Sequence, residues 1–208
     1  MKNIVEKFIQ KWGKKKTIVL SSIAAIILAL IIVFLVLWIG NMVNFKRGEK
    51  ETESTRDLYS GISSDASSVD EKVGWQPDDE PVDENGIKLS FKELYEKNPD
   101  VRGWISIPGT KLDLAVTQSN DNAYYLDHSF EKKKFAYGVP FMDYRNILTP
   151  TEQSDNITIY AHAAKDGTYF AAVKDYKDIN FYKEHPTITF NTIYGKGEYK
   201  VIARFVED

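Results

Sequence analysis

Residues 17–39 read TIVLSSIAAIILALIIVFLVLWI, an apolar run with no charged side chain. As a helix this run rises about 35 Å, enough to cross a hydrocarbon layer of about 30 Å. A lone segment in lipid must satisfy its own backbone groups, so it is expected as a single membrane-spanning helix. Its orientation follows from charge. Residues 1–16 hold six lysines and one glutamate, whereas the far flank mixes Lys46, Arg47, Glu49, Lys50 and Glu51. The positive-inside rule then puts the N-terminus in the cytoplasm and everything after the span outside the cell. A cleaved signal peptide is the competing reading. Its apolar core is normally shorter, and the following WIGNMVNF is a poor small-residue cleavage site, so the uncleaved anchor is favoured.

The remainder is globular in composition: of 208 residues, 43% are hydrophobic and 27% charged, which fits one domain plus attachments. Of the 27 basic and 30 acidic residues, 21 and 29 lie beyond residue 16, a net −8 that excludes a basic nucleic-acid footprint. The chain has no cysteine. Disulfide scaffolds and thiolate metal sites are therefore excluded, no His-Glu-x-x-His spacing occurs, and no metal or cofactor is expected.

Residues 40–86, rich in Ser, Asp, Glu and Thr, read as a polar linker with a short helix near 51–59. The globular part is expected from residue 87. Ser90 and Glu93 have capping-box spacing, Phe91, Leu94 and Tyr95 supply a helical face, and Asn98-Pro99 ends it. GWISIPGTKLDLAVTQ alternates on both sides of Pro108-Gly109, which predicts a hairpin of 104–107 and 112–117. YGVPFMD and NITIYAH read as further strands, TYFAAVKDY and INFYKEH as helices, and 187–193 and 198–206 as the last strands. The expectation is a mainly β domain of about six strands with short connecting helices.

His162 ends the strand NITIYAH, before a turn-forming Lys-Asp-Gly. Strand ends carry catalytic groups on a rigid scaffold, and Tyr160, two residues earlier, shares its side of the strand. On local pattern a surface histidine remains the competing reading. His128, in LDHSF, and His185, at a helix end before Pro186, read as structural. Ser106, Ser119 and Ser129 lie in no Gly-x-Ser-x-Gly elbow. The run EKKKF at 131–135 reads as a solvated loop, with contact to anionic wall polymers as its alternative.

The order of these features resembles the class B sortases, cysteine transpeptidases of Gram-positive cell surfaces. A lysine-rich tail, an anchor, a linker and a helix precede GWISIPGT, DNAYYLDHSF, YGVPFMDYRN, ITIYAHAAKDGTYF and FYKEHPTITF. The resemblance covers about residues 89–206. It implies a sortase-like β-barrel, here incomplete with about six of eight strands. His162 matches the family's catalytic histidine, Tyr160 an aromatic beside the groove, and Asn122 and Leu126 the groove residues that line the sorting-signal site. In the family a cysteine attacks the sorting signal, an arginine stabilises the oxyanion, and the thioester passes to an amine of peptidoglycan. The implied partners are sorting-signal-bearing surface proteins, peptidoglycan or its precursor, and the membrane. Ala161 and Ala163 stand where "YGHN"-like members carry a glycine and a polar residue.

No residue matches the family's cysteine or arginine, which lie on its last two strands. The expectation is a sortase lacking its C-terminal strands and inactive as this chain alone. The alternatives are a non-catalytic anchored surface protein that binds sorting signals or wall polymers, and an unrelated anchored β-domain.

Overall fold

The computed structural model describes residues 2–59, 74–76 and 79–206. The middle of the expected linker, 60–73 with 77–78, and the last two residues, 207–208, lie outside the described residues. The chain divides into two units, residues 1–46 and 47–208. The first unit is helical throughout its described residues, within α1 (Lys2–Leu58). Its side chains from Ile23 to Val43 are exposed wherever they are large and apolar, as a lipid-facing surface requires. Among the described residues this is the one helix long and apolar enough to cross a membrane.

The second unit is built on one seven-stranded sheet of β1 (Gly74–Gln76), β2 (Val101–Ser106), β3 (Asp113–Thr117), β4 (Phe141–Met142), β5 (Ile159–Tyr160), β6 (Thr187–Thr192) and β7 (Lys196–Lys200), ordered β1-β7-β6-β2-β3-β4-β5. Six of these strands are the six expected; β1 falls within the polar segment, where sequence pattern indicates none. β2 and β3 form the expected antiparallel hairpin. Gly109 turns it at φ +80, a left-handed conformation that suits glycine. β3 pairs parallel to β4 through Thr117 and Phe141, and β4 pairs antiparallel to β5. Among the described residues β5 is a sheet edge.

Two local expectations are corrected. Ser90 and Glu93 form no capping box: a 3-10 turn, Leu89–Phe91, precedes α2 (Lys92–Lys97), and neither has a side-chain cap. Instead Glu80 accepts a hydrogen bond from Ser90 N at 2.7 Å and pairs with the buried Lys88 at 3.1 Å. A carboxylate ten residues upstream thus takes the donor that a local cap would have satisfied. The last strand also stops at Lys200 rather than continuing to 206. Its partner β6 begins at Thr187 opposite Lys200, and the pairing closes with Val201 N donating to Pro186 O at 2.9 Å. Ile202 and Phe205 beyond it are exposed. The other helices form as expected. A 3-10 helix spans Phe170–Lys177, and Asp178 caps α3 (Ile179–Glu184) by accepting from Asn180 N at 2.8 Å.

The core comprises Phe91, Leu94, Val101, Trp104, Ala115, Tyr125, Phe130 and Phe141 among others. Residues 47–58 of α1 belong to the same unit. Glu51 accepts from Glu131 N, Arg56 pairs with Asp113 at 2.9 Å, and Tyr59 stacks on Trp104 at 4.5 Å. All three lysines of EKKKF are paired with carboxylates: Lys132 with Asp100, Lys133 with Glu131 and Lys134 with Asp127. This favours the structural reading of that run.

Candidate active site

Two segments meet at the β5 edge: the turn that carries Asn122 and Leu126, and the end of β5 with Tyr160 and His162. The turn is held from beneath. Its 3-10 segment, Tyr124–Leu126, inserts Tyr125, 1% exposed, into the core. Tyr125 donates its hydroxyl proton to Asp100 at 2.7 Å and accepts from Asn98 Nδ2 at 3.0 Å. Burial, followed by the neighbouring Asp100 carboxylate, pushes the Tyr125 phenol far above an ordinary tyrosine, so it stays a neutral donor. Val139 N donates to Tyr125 O, and Gly138 lies against the same turn.

Beyond β5 the loop folds back. Phe170 N donates to His162 O at 3.0 Å, and Ala163 bridges to Tyr169. Asp166 accepts from Thr168 N at 3.0 Å and from its hydroxyl at 2.6 Å, while Gly167 turns at φ +88, as the Lys-Asp-Gly signal predicts. Tyr169 takes φ +55, unusual for a bulky residue. Its buried ring stacks on Tyr137 at 5.9 Å, and burial pushes its phenol up to about 12. Tyr137 in turn meets the His162 ring edge-on at 6.4 Å.

His162 itself is exposed, and its Nε2 lies 2.9 Å from Leu126 O. A carbonyl only accepts, so Nε2 carries the proton. In the neutral imidazole Nδ1 is then the lone-pair nitrogen, and the ring can take up a proton there. Tyr160 donates its hydroxyl proton to Asp143 Oδ2 at 3.0 Å, and Asn122 Nδ2 donates to the same oxygen at 2.8 Å. The four residues singled out in the sequence are therefore joined by two bridges, His162 to Leu126 and Tyr160 to Asn122 through Asp143. His128 stacks on Tyr124 at 4.0 Å and lies 2.7 Å from its carbonyl; His185 packs on Phe181 at 4.5 Å.

Asp143 and Arg145 are the residues that sequence reasoning missed. Asp143 is 3% exposed, and Arg145 clamps it through Nε at 2.9 Å and Nη2 at 2.7 Å. This clamp, with the Arg145 backbone N–H and then Asn122 and Tyr160, holds the carboxyl well below the usual carboxylate range despite burial. The same pair raises the Arg145 guanidinium, and the Asp143 hydrogen bond raises the Tyr160 phenol. The only sequence signal was an Asp-x-Arg directly after an apolar strand, in YGVPFMDYRN.

Sortase B of Listeria monocytogenes is 34% identical over 137 residues, 65% of this chain and 55% of that protein. Sortase B of Staphylococcus aureus is 34% identical over 119 residues, 57% and 48% of the two chains. Over the matched segment the chain is similar to the class B sortases. The solved Staphylococcus aureus sortase B–substrate complex superposes with a TM-score of 0.54 at 35% identity, covering 56% of this chain and 53% of that one. The Bacillus anthracis sortase B in complex with AAEK1 gives a TM-score of 0.63 over 80% of this chain and 73% of that one, at 22% identity, and bears on the fold alone. No protein-family profile matches the chain. The chain spans about half the length of the curated sortases B it matches.

Proposed function

We propose that the extracellular domain binds a C-terminal sorting signal in the groove between the Asn122–Leu126 turn and the end of β5. His162 there is the proton-transfer group of a cysteine transpeptidase that joins surface proteins to peptidoglycan. The observation that carries this reading is the pair of bridges at the β5 edge, in a chain 34% identical to sortases B. Acyl transfer needs a nucleophile to hold the acyl group, a proton shuttle and a donor for the oxyanion. Only the shuttle is assigned here, because the 208 residues contain no cysteine. The chain alone is expected to bind the signal without cleaving it. The alternative reading is a non-catalytic anchored protein that binds sorting signals or wall polymers.

The architecture we propose is a cytoplasmic tail at 1–16, a span at 17–39, a polar linker at 40–86 whose residues 47–59 pack on the domain that follows, and the sortase-like domain at 87–208. One experiment addresses the chemistry: the full chain in detergent micelles is incubated with a fluorescent sorting-signal peptide. Binding without cleavage is expected. Cleavage lost in His162→Ala would show that another nucleophile, such as a serine, acts. Translation of the DNA downstream of codon 208 separates the two readings, since a strand-like run ending in cysteine with an arginine soon after supports the transpeptidase.

A further inference from the structure

The Asp143 carboxylate is full. Oδ1 accepts from Arg145 N at 2.9 Å and Arg145 Nε at 2.9 Å; Oδ2 accepts from Asn122 Nδ2, Arg145 Nη2 and Tyr160 Oη at 2.8, 2.7 and 3.0 Å. A carboxylate offers about four lone-pair sites, so Asp143 has no capacity left for a ligand. Its backbone is also fixed: Asp143 N donates to Thr158 O at 2.9 Å, and its carbonyl accepts from Gln118 Nε2 at 2.9 Å.

The consequence falls on its two groove partners. Tyr160 has one hydroxyl proton and gives it to Asp143, so toward a ligand its oxygen acts as an acceptor. Arg145 also acts on the same phenol as a hydrogen-bond donor, more weakly and in the opposite sense, which leaves the oxygen one lone pair for a ligand. Asn122 donates through Nδ2 to Asp143 and accepts from Tyr144 N at 3.0 Å through Oδ1. Flipping its carboxamide would set oxygen against the carboxylate and N–H against N–H, so its orientation is determined. One Nδ2 hydrogen and one Oδ1 lone pair remain for a ligand.

We propose that Asp143 is a positioning residue that fixes the hydrogen-bond polarity of this groove, so that Tyr160 accepts an N–H donor from the bound peptide. The proposal rests on the sorting-signal reading and deepens it by naming what the wall recognises. Asp143 holds the recognising groups and does not touch the peptide.

The test has two arms, both on the full chain in detergent micelles. In the first, tyrosines carry 13C at Cζ, and the Tyr160 resonance is identified by its loss in Tyr160→Phe. The Tyr160 phenol is expected to titrate above an ordinary tyrosine, and lower in Asp143→Asn. Ordinary titration in the wild type overturns the proposal, and this holds even if Asp143→Asn fails to fold. In the second arm, each backbone N–H of a fluorescent sorting-signal peptide is N-methylated in turn. One position should cost about tenfold in affinity for the wild type and under about twofold for Tyr160→Phe. An identical profile in both overturns the acceptor role. No binding of the unmodified peptide, with Tyr160 titrating high, overturns the sorting-signal reading while supporting the Asp143 geometry.

Discussion

Asn98 has no solvent exposure, and its carboxamide donates to Tyr125 Oη and Phe130 O while accepting from Asp100 N. Truncation leaves a buried carbonyl and an N–H without partners, and each such orphan costs more than the bond itself was worth. Asn98→Ala is therefore expected to destabilise the domain by about 1–3 kcal/mol, read as a lower urea midpoint. The loss should extend to the groove, because Tyr125 anchors the turn that carries Leu126. Acid should act at a second residue. The folded-state carboxyl of Asp143 lies below its unfolded value, so its contribution is fully present above the ordinary carboxylate range and is lost as pH falls through and below it. Unfolding midpoints of the wild type should decline below about pH 4. Asp143→Asn should flatten that decline; an equally steep one in the variant would remove Asp143 as its source.

At the scale of elements, the hairpin was legible because alternation and a Pro-Gly turn are local signals, and Gly109 supplies the positive φ they require. The turn after His162 was legible for the same reason. The capping box failed because Glu80 reached Ser90 N from ten residues away, and no window of local sequence registers that competition. The length of β7 failed because a strand ends where its partner does. The link from Asp143 to Asn122 and Tyr160 was invisible because they stand 21 residues before it and 17 after, at no helical or strand period; only Arg145, two residues on, is a local partner. Gly138 offers the test at this scale. It has φ +56, and a Cβ there would lie 2.0 Å from Tyr125 O and 2.8 Å from Leu126 O. Those are backbone atoms that cannot rotate aside. Gly138→Ala should displace the Tyr124–Leu126 turn, cost about 2–4 kcal/mol and weaken peptide binding, measured by thermal unfolding and fluorescence anisotropy.

For the whole molecule, the boundary of the folding unit decides which fragment is worth studying. Composition places it at residue 87, after the polar stretch, yet contacts within the second unit reach back to residue 48. A Cβ on Gly48 would lie 2.0 Å from the Phe135 ring, so helix and ring are in close contact there. Glu51 and Thr55 are 8% and 3% exposed, and Tyr59 meets both Trp104 at 4.5 Å and Phe91 at 4.9 Å. Glu51, Thr52 and Thr55 line a shared cavity with Trp104, Phe135 and Tyr169. Starting the chain at 87 would open that cavity to water and uncover the aromatic faces of Trp104 and Phe135. It would also leave Glu131 N and Asp113 without Glu51 and Arg56. Buried aromatic contact is worth about 1.5–3 kcal/mol per side chain, and about 1 kcal/mol shifts the melting temperature of a domain this size by roughly 2–8 °C. The fragment 47–208 is therefore expected to melt at least about 8 °C above 87–208, with the shorter form binding a dye for exposed apolar surface. Equal melting temperatures would mean that residues 47–86, with the 47–58 helix, β1 and Glu80, contribute nothing to the fold, and that the domain begins where its composition changes.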